Sequence, residues 1–218
     1  MSRKRTGIAQ EFVFLSYVRR SKLLAAAMGC ALFAAAGCNF AAPRYSVSVE
    51  NVTTLRTLRG QWINVGTFNG PESEETAMTC RGVGQIKAPD GESLSEYVRV
   101  ALMAELKMAE LYSTSAPVTL TGALDRAKSD SLSGTWELGL TIVSSNHKSI
   151  HVDEKYGFAS SYSGDIACTQ TAQALMPAVQ DLITKLVRDP GFKALVSVAE
   201  PTAVSAAAKP ETAPIEVR

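Results

Sequence analysis

His147 and His151 are the only histidines in the 218-residue chain, and they stand four residues apart. Imidazoles with a carboxylate can bind zinc, and Asp153, two residues beyond His151, could add an oxygen ligand. Spacing by four aligns side chains on a helix. This segment reads instead as a turn running into a strand, where a shared face needs an even step with no turn between. Exposed hairpin residues are the ordinary explanation, and no metal is expected. Other reaction centres are missing from the sequence: there is no Gly-x-Ser-x-Gly elbow, phosphate-binding loop or zincin helix. Gly82-Val83-Gly84 opens no helix after a strand, and Cys80 and Cys168 are too far apart for a Cys-x-x-Cys redox motif. The expectation is a protein with no catalytic residues and no cofactor, not an enzyme.

One carboxylate conflicts with its surroundings. On a helical wheel Glu105 falls between Val98, Ala101, Leu102, Ala109 and Tyr112, inside an apolar stripe. A buried carboxylate left charged and alone costs several kcal/mol, so it must be paired, hydrogen-bonded or protonated. Two readings are open: Glu105 meets a basic residue such as Arg81 or Arg126, or the helix is rotated and Glu105 reaches water past the stripe edge. Glu154, on the apolar face of its strand, raises the same question.

These residues sit on recognisable elements. Tyr45 to Glu50 alternates as a strand, and Gln61 to Phe68 reads as a second, mixed on both faces and central. An acidic loop, Asn69 to Thr76 with Glu72, Glu74 and Glu75, leads to Cys80. Ser93-Leu-Ser-Glu96 has the form of a capping box, followed by a helix to about Tyr112. Val118 to Leu124, Trp136 to Ile142 and Ser149 to Ser160 alternate as three strands of a meander, with Ile150, Val152, Tyr156 and Phe158 inward. A second helix begins near Asp165, carries Leu175, Val179, Leu182, Ile183 and Leu186 on one stripe, and stops at Asp189-Pro190-Gly191. Pro177 should kink or restart it. The fold class is α+β: a mostly antiparallel sheet with two amphipathic helices packed on one face, in the order β-β-α-β-β-β-α. The other sheet face, with Thr119, Thr121, Thr135, Glu137, Thr141, His151, Asp153 and Lys155, is the candidate binding face. A solvated structural face explains the same threonines.

The N-terminus carries the strongest signal. Arg3 to Arg5, Arg19, Arg20 and Lys22 precede an apolar run, Leu23 to Ala36, too short to span a bilayer. It closes on Leu32-Phe33-Ala34-Ala35-Ala36-Gly37-Cys38, which resembles the lipobox of bacterial lipoproteins. The resemblance implies a signal peptide over residues 1–37, a diacylglycerol and an N-acyl chain (palmitate or similar) on Cys38, and a mature protein beginning there. Asn39, not aspartate, follows the cysteine, which implies the outer membrane's periplasmic side. Cys30 then leaves with the signal, Cys38 carries lipid, and Cys80 and Cys168 remain where oxidation is permitted. The even remainder suggests one disulfide, two buried thiols being the alternative.

Residues 38–44 are expected to be anchor and spacer, 45–198 the domain, and 199–218 a disordered Ala- and Pro-rich tail. The net charge is +1, and much of the positive charge lies in the signal, so the mature chain is mildly acidic. That argues against nucleic acid as a partner. The chain resembles small periplasmic lipoproteins of the YajG-like kind through the lipobox, the strand Trp136 to Ile142, and the stretch from Cys168 through Pro177 to Phe192. Such families imply a membrane-anchored binding or accessory module in the periplasm whose partner is an envelope protein or cell-wall component. The alternative is a subunit of an oligomeric envelope secretion or transport assembly.

Overall fold

The computed structural model describes residues 38–71 and 78–198. The signal segment, the tail after 198, and Glu72, Glu74 and Glu75 of the acidic loop lie outside the described residues.

In chain order the elements are β1 (Cys38–Ala41), α1 (Val49–Leu55), a short 3-10 turn (Arg56–Leu58), β2 (Ile63–Asn69), β3 (Met78–Cys80), β4 (Gly84–Lys87), α2 (Leu94–Met108), β5 (Val118–Asp130), β6 (Thr135–Ser144), β7 (Ser149–Gly157), α3 (Gly164–Arg188) and α4 (Phe192–Val196). The class is α+β. The larger sheet has the order β2-β5-β6-β7, antiparallel except where β2 pairs parallel with β5. The crossover through α2 makes that parallel pair possible. One face of this sheet is covered by α2, over β2 and β5, and by α3, over β6 and β7. The core between them includes Leu102, Leu106, Leu120, Leu138, Leu140, Leu175, Leu182 and Trp136, whose indole N–H donates to the Thr171 carbonyl of α3 at 2.8 Å.

A second, three-stranded sheet, β1-β4-β3, packs against α3. Its presence corrects the expected spacer over 38–44. Residues 38–41 form a strand paired in register with 84–87, and Ala42 is buried, its N–H donating to the Lys87 carbonyl at 2.8 Å. Cys80 and Cys168 form a disulfide with a Cα separation of 5.8 Å, tying this small sheet to α3.

Four further expectations are corrected. Tyr45 to Glu50 forms no strand: the Ser48 side chain caps α1, and Asn51, Val52 and Leu55 bury a helical face while Val49 is exposed. Strand β2 lies at a sheet edge, with Ile63, Val65 and Phe68 buried beneath α2. Helix α2 stops at Met108 instead of Tyr112, because Glu110 turns left-handed (φ 62). Helix α3 continues through Pro177 without the restart expected there, since Ala174, Leu175, Ala178 and Val179 on either side are buried and hold it against the core. That burial outweighs the roughly 3 kcal/mol that an interior proline costs.

Candidate functional site

The solvent face of the larger sheet carries Thr119, Thr121, Thr135, Glu137, Thr141, His151, Asp153 and Lys155. Register sets Thr141 opposite His151 and Glu137 opposite Lys155. The Thr141 hydroxyl donates to Asp125 Oδ2 at 2.6 Å and lies 2.9 Å from His151 Nδ1. His151 Nε2 is 3.1 Å from Asp153 Oδ2, and Arg126 pairs with Asp153 at 3.0 Å. Lys155 pairs with Glu137 at 3.3 Å, and Thr121 donates to the Val143 carbonyl at 3.3 Å. The Asn64 amide donates to Thr119 Oγ1 at 3.3 Å. These polar groups are largely spent on one another, so a ligand here would have to displace existing partners. His147 sits in the β6–β7 turn in a left-handed conformation (φ 67), off the ladder that carries His151. Among the described residues no three His, Cys, Asp or Glu side chains gather to hold a metal ion.

Glu105 is fully buried, which decides against the rotated helix that would carry it to water, but its partners are neither Arg81 nor Arg126. Its Oε1 accepts from the Tyr45 hydroxyl at 2.6 Å, the Ser48 backbone N–H at 2.8 Å and the Asn51 amide at 3.4 Å. Asn51 reaches on to α3, donating to the Gln180 carbonyl at 3.1 Å and accepting from Thr184 at 2.6 Å. The cluster clamps the segment 45–51 between α2 and α3. Burial, reinforced by the Glu105 hydrogen bond, pushes the Tyr45 phenol well above its ordinary range. Glu154 answers its own conflict differently, through an ion pair with Lys185 of α3 at 2.9 Å.

The structure adds a site that the sequence reading did not single out. A cleft of about 560 Å³ is lined by Arg56, Arg59, Gly60, Trp62, Ala109, Glu110 and Leu111. Trp62, 52% exposed, also borders a shallower hollow of about 230 Å³ with Ser113, Ser115, Ala116 and Pro117. Arg56 donates to the Met108 carbonyl at 3.2 Å, whereas the side chains of Arg59 and Glu110 have no partner among the described residues. Two guanidiniums beside an exposed indole suit an anion with a flat apolar face, bound by charge-assisted hydrogen bonds and stacking. The signal in the sequence is Arg56-Thr-Leu-Arg59-Gly60-Gln-Trp62, basic residues and an aromatic around a turn that needs Gly60 (φ 89).

The other wall of the cleft is a helix terminus closed in an unusual way. Leu111 N–H bonds the Leu106 carbonyl at 2.9 Å and Glu110 N–H the Lys107 carbonyl at 3.1 Å. This is the Schellman pattern, whose left-handed position ordinarily belongs to glycine. Glu110→Gly is therefore expected to raise stability by about 0.5–1 kcal/mol, read as a higher urea midpoint. An unchanged or lower midpoint would mean that the carboxylate stabilises the fold enough to offset its backbone cost.

No family model and no curated protein matches the chain. A similar solved structure, described as "a putative lipoprotein from Caulobacter crescentus CB15", shares 12% identity at a TM-score of 0.34, covering 63% of this chain and 89% of that one. That likeness is too remote to carry a function across.

Proposed function

We propose that the chain is a bacterial envelope lipoprotein of the YajG-like kind, held by lipid on Cys38 at the periplasmic side of the outer membrane. There it acts as a binding module, not an enzyme. Its partner is a cell-wall component or envelope protein that offers an anionic group beside a flat apolar surface to Trp62, Arg56 and Arg59.

The observation that carries this reading is the polarity of the domain. Strand β1 begins at Cys38, beside the β3–β4 turn, while Trp62 precedes Ile63, which pairs with Val118 at the start of β5. The far end of β5 leads into the β5–β6 turn, which Arg81 of the β3–β4 turn holds through Ser131. The thirteen residues of β5, at about 3.3 Å each, thus separate the anchor end from the cleft by about 40 Å. Among the described residues no helix is long and apolar enough to cross a membrane.

Three measurements test it. The intact mass of protein extracted from its host's membranes should correspond to a chain starting at Cys38 plus acyl groups. An unlipidated mass would remove the anchor. In co-sedimentation with purified peptidoglycan sacculi, the parent chain should pellet, and Trp62→Ala and Arg59→Ala should each weaken retention about tenfold, as loss of a stacking or charged contact does. Retention unaffected by both variants would exclude the cleft as the wall-binding site. A defined ring in light scattering would favour the assembly-subunit alternative.

A further inference from the structure

We propose that the end of the domain bearing Cys38 is itself a membrane-contacting face, in which Leu132, Tyr162 and Ile166 enter the interfacial layer of the bilayer that holds the anchor. The inference rests on the lipid-anchor reading and deepens it.

Three segments distant in sequence place these side chains together. Leu132, 77% exposed, stands at the tip of the β5–β6 turn, Tyr162 is fully exposed in the β7–α3 connection, and Ile166, 53% exposed, lies in the first turn of α3. The turn meets its own polar needs. One Asp130 carboxylate oxygen accepts from the backbone N–H groups of Leu132 at 2.8 Å and Ser133 at 3.3 Å, and the other accepts from the Ser133 hydroxyl at 2.7 Å. Arg81 draws the segments to one another. Its guanidinium donates to the Ser131 carbonyl at 2.6 Å, the Ser131 hydroxyl at 3.1 Å and the Ser161 carbonyl at 3.0 Å, with a longer contact to the Tyr162 carbonyl at 3.4 Å. The Ser160 hydroxyl also bonds the Ser131 carbonyl.

Arg81 follows Cys80, Cys80 pairs with Gly84, and Gly84 pairs with Cys38. Val83, in the same turn, packs so closely on Gly164 that a Cβ there would meet it at 2.8 Å. The apolar side chains and the first residue of the mature chain are therefore at the same end. With no free chain between Cys38 and β1, acylation brings this end to the lipid surface.

The chemistry fits that surface. Tyrosine is favoured at headgroup depth and leucine and isoleucine just below it. The charges beside them, Arg81 against Asp130 and Asp165, leave one net negative charge, which anionic headgroups do not attract. Contact is thus apolar in origin, and it should not depend on anionic lipid or weaken in salt. Trp62 and Met108, also exposed, belong to the cleft region at the opposite end.

The test uses the lipidated chain extracted from host membranes and reconstituted in vesicles of phosphatidylethanolamine and phosphatidylglycerol, with and without brominated acyl chains. Leu132→Trp and Ile166→Trp should each add emission that brominated lipid quenches severalfold, at low and high salt alike. The control Val143→Trp, on the solvent face of the sheet, and the native Trp62 and Trp136 should be unquenched. A chain that floats with the vesicles but shows no more quenching at 132 and 166 than at 143 overturns the contact and leaves the anchor standing. A chain without acyl mass that fails to float overturns both.

Discussion

Glu105→Ala is expected to lower the stability of the domain by about 3–5 kcal/mol, a large part of the 5–15 kcal/mol typical of a domain. Truncation strands three donors at once: the Tyr45 hydroxyl, the Ser48 N–H and the Asn51 amide all bond Oε1. A buried donor left without an acceptor costs roughly 1–3 kcal/mol, and the missing carboxyl adds a cavity. These terms overlap, since Tyr45 and Asn51 can partly relax, so their sum is an upper bound. Glu105→Gln keeps an acceptor for the three donors and should cost less, about 1–2 kcal/mol, because its amide would replace Oε2, which has no partner. Urea unfolding at neutral pH measures both. Equal midpoints for the parent and the alanine variant would show that the cluster contributes nothing to stability.

The same cluster imposes a pH dependence. In the folded state the Tyr45 phenol is raised above its ordinary range by burial and by Glu105, and that of Tyr97 by burial and by Glu92. Above pH about 10 the unfolded chain gives up these protons while the native state keeps them. Stability is therefore fully present below pH 10 and falls as pH rises past it. The urea midpoint should drop steeply on the alkaline side, and Tyr45→Phe should flatten that slope.

Opening the Cys80–Cys168 bridge is the second large effect. It closes a separation of 88 residues, and the chain-entropy model assigns such a crosslink about 4.5 kcal/mol. Both cysteines are buried, so the bridge ties core to core: strand β3 to helix α3. Reduction under mild denaturant, or the double substitution Cys80→Ala with Cys168→Ala, should lower the urea midpoint by a large fraction. The small β1-β4-β3 sheet, whose strands have four, four and three residues, should lose protection from hydrogen exchange before the larger sheet. An unchanged midpoint after complete reduction, verified by thiol titration, would contradict this account.

The sequence was legible where a long periodic pattern meets a single face. The stripe around Leu102 and the stripe around Leu182 each became a helix on the larger sheet, and the alternation from Val118 to Gly157 became the meander. It misled where the pattern was short. Tyr45-Ser-Val-Ser-Val alternates over too few residues to outweigh a capping serine and the helical spacing of Val52 and Leu55. The small sheet was illegible because strands of three or four residues have no period of their own and exist only by long-range pairing. The cleft stayed hidden for a related reason. Arg59 and Trp62 meet Glu110 only after α2 has packed, and the left-handed turn at Glu110 occupies a position where the sequence offers no glycine.

One consequence follows from β1 being a strand. A lipoprotein whose acylated residue precedes a flexible tether sweeps a volume set by tether length, and its partner can be found anywhere within that radius. Here the acylated residue would already be hydrogen-bonded into the domain, leaving no leash to pay out. The domain would stand as a fixed post, presenting its cleft about one β5 length, about 40 Å, above the lipid surface. Its working range would become a height instead of a radius, and a ligand held well above that height would be out of reach at any concentration. Inserting a flexible segment between Asn39 and Tyr45 would not extend that reach without first dismantling the strand.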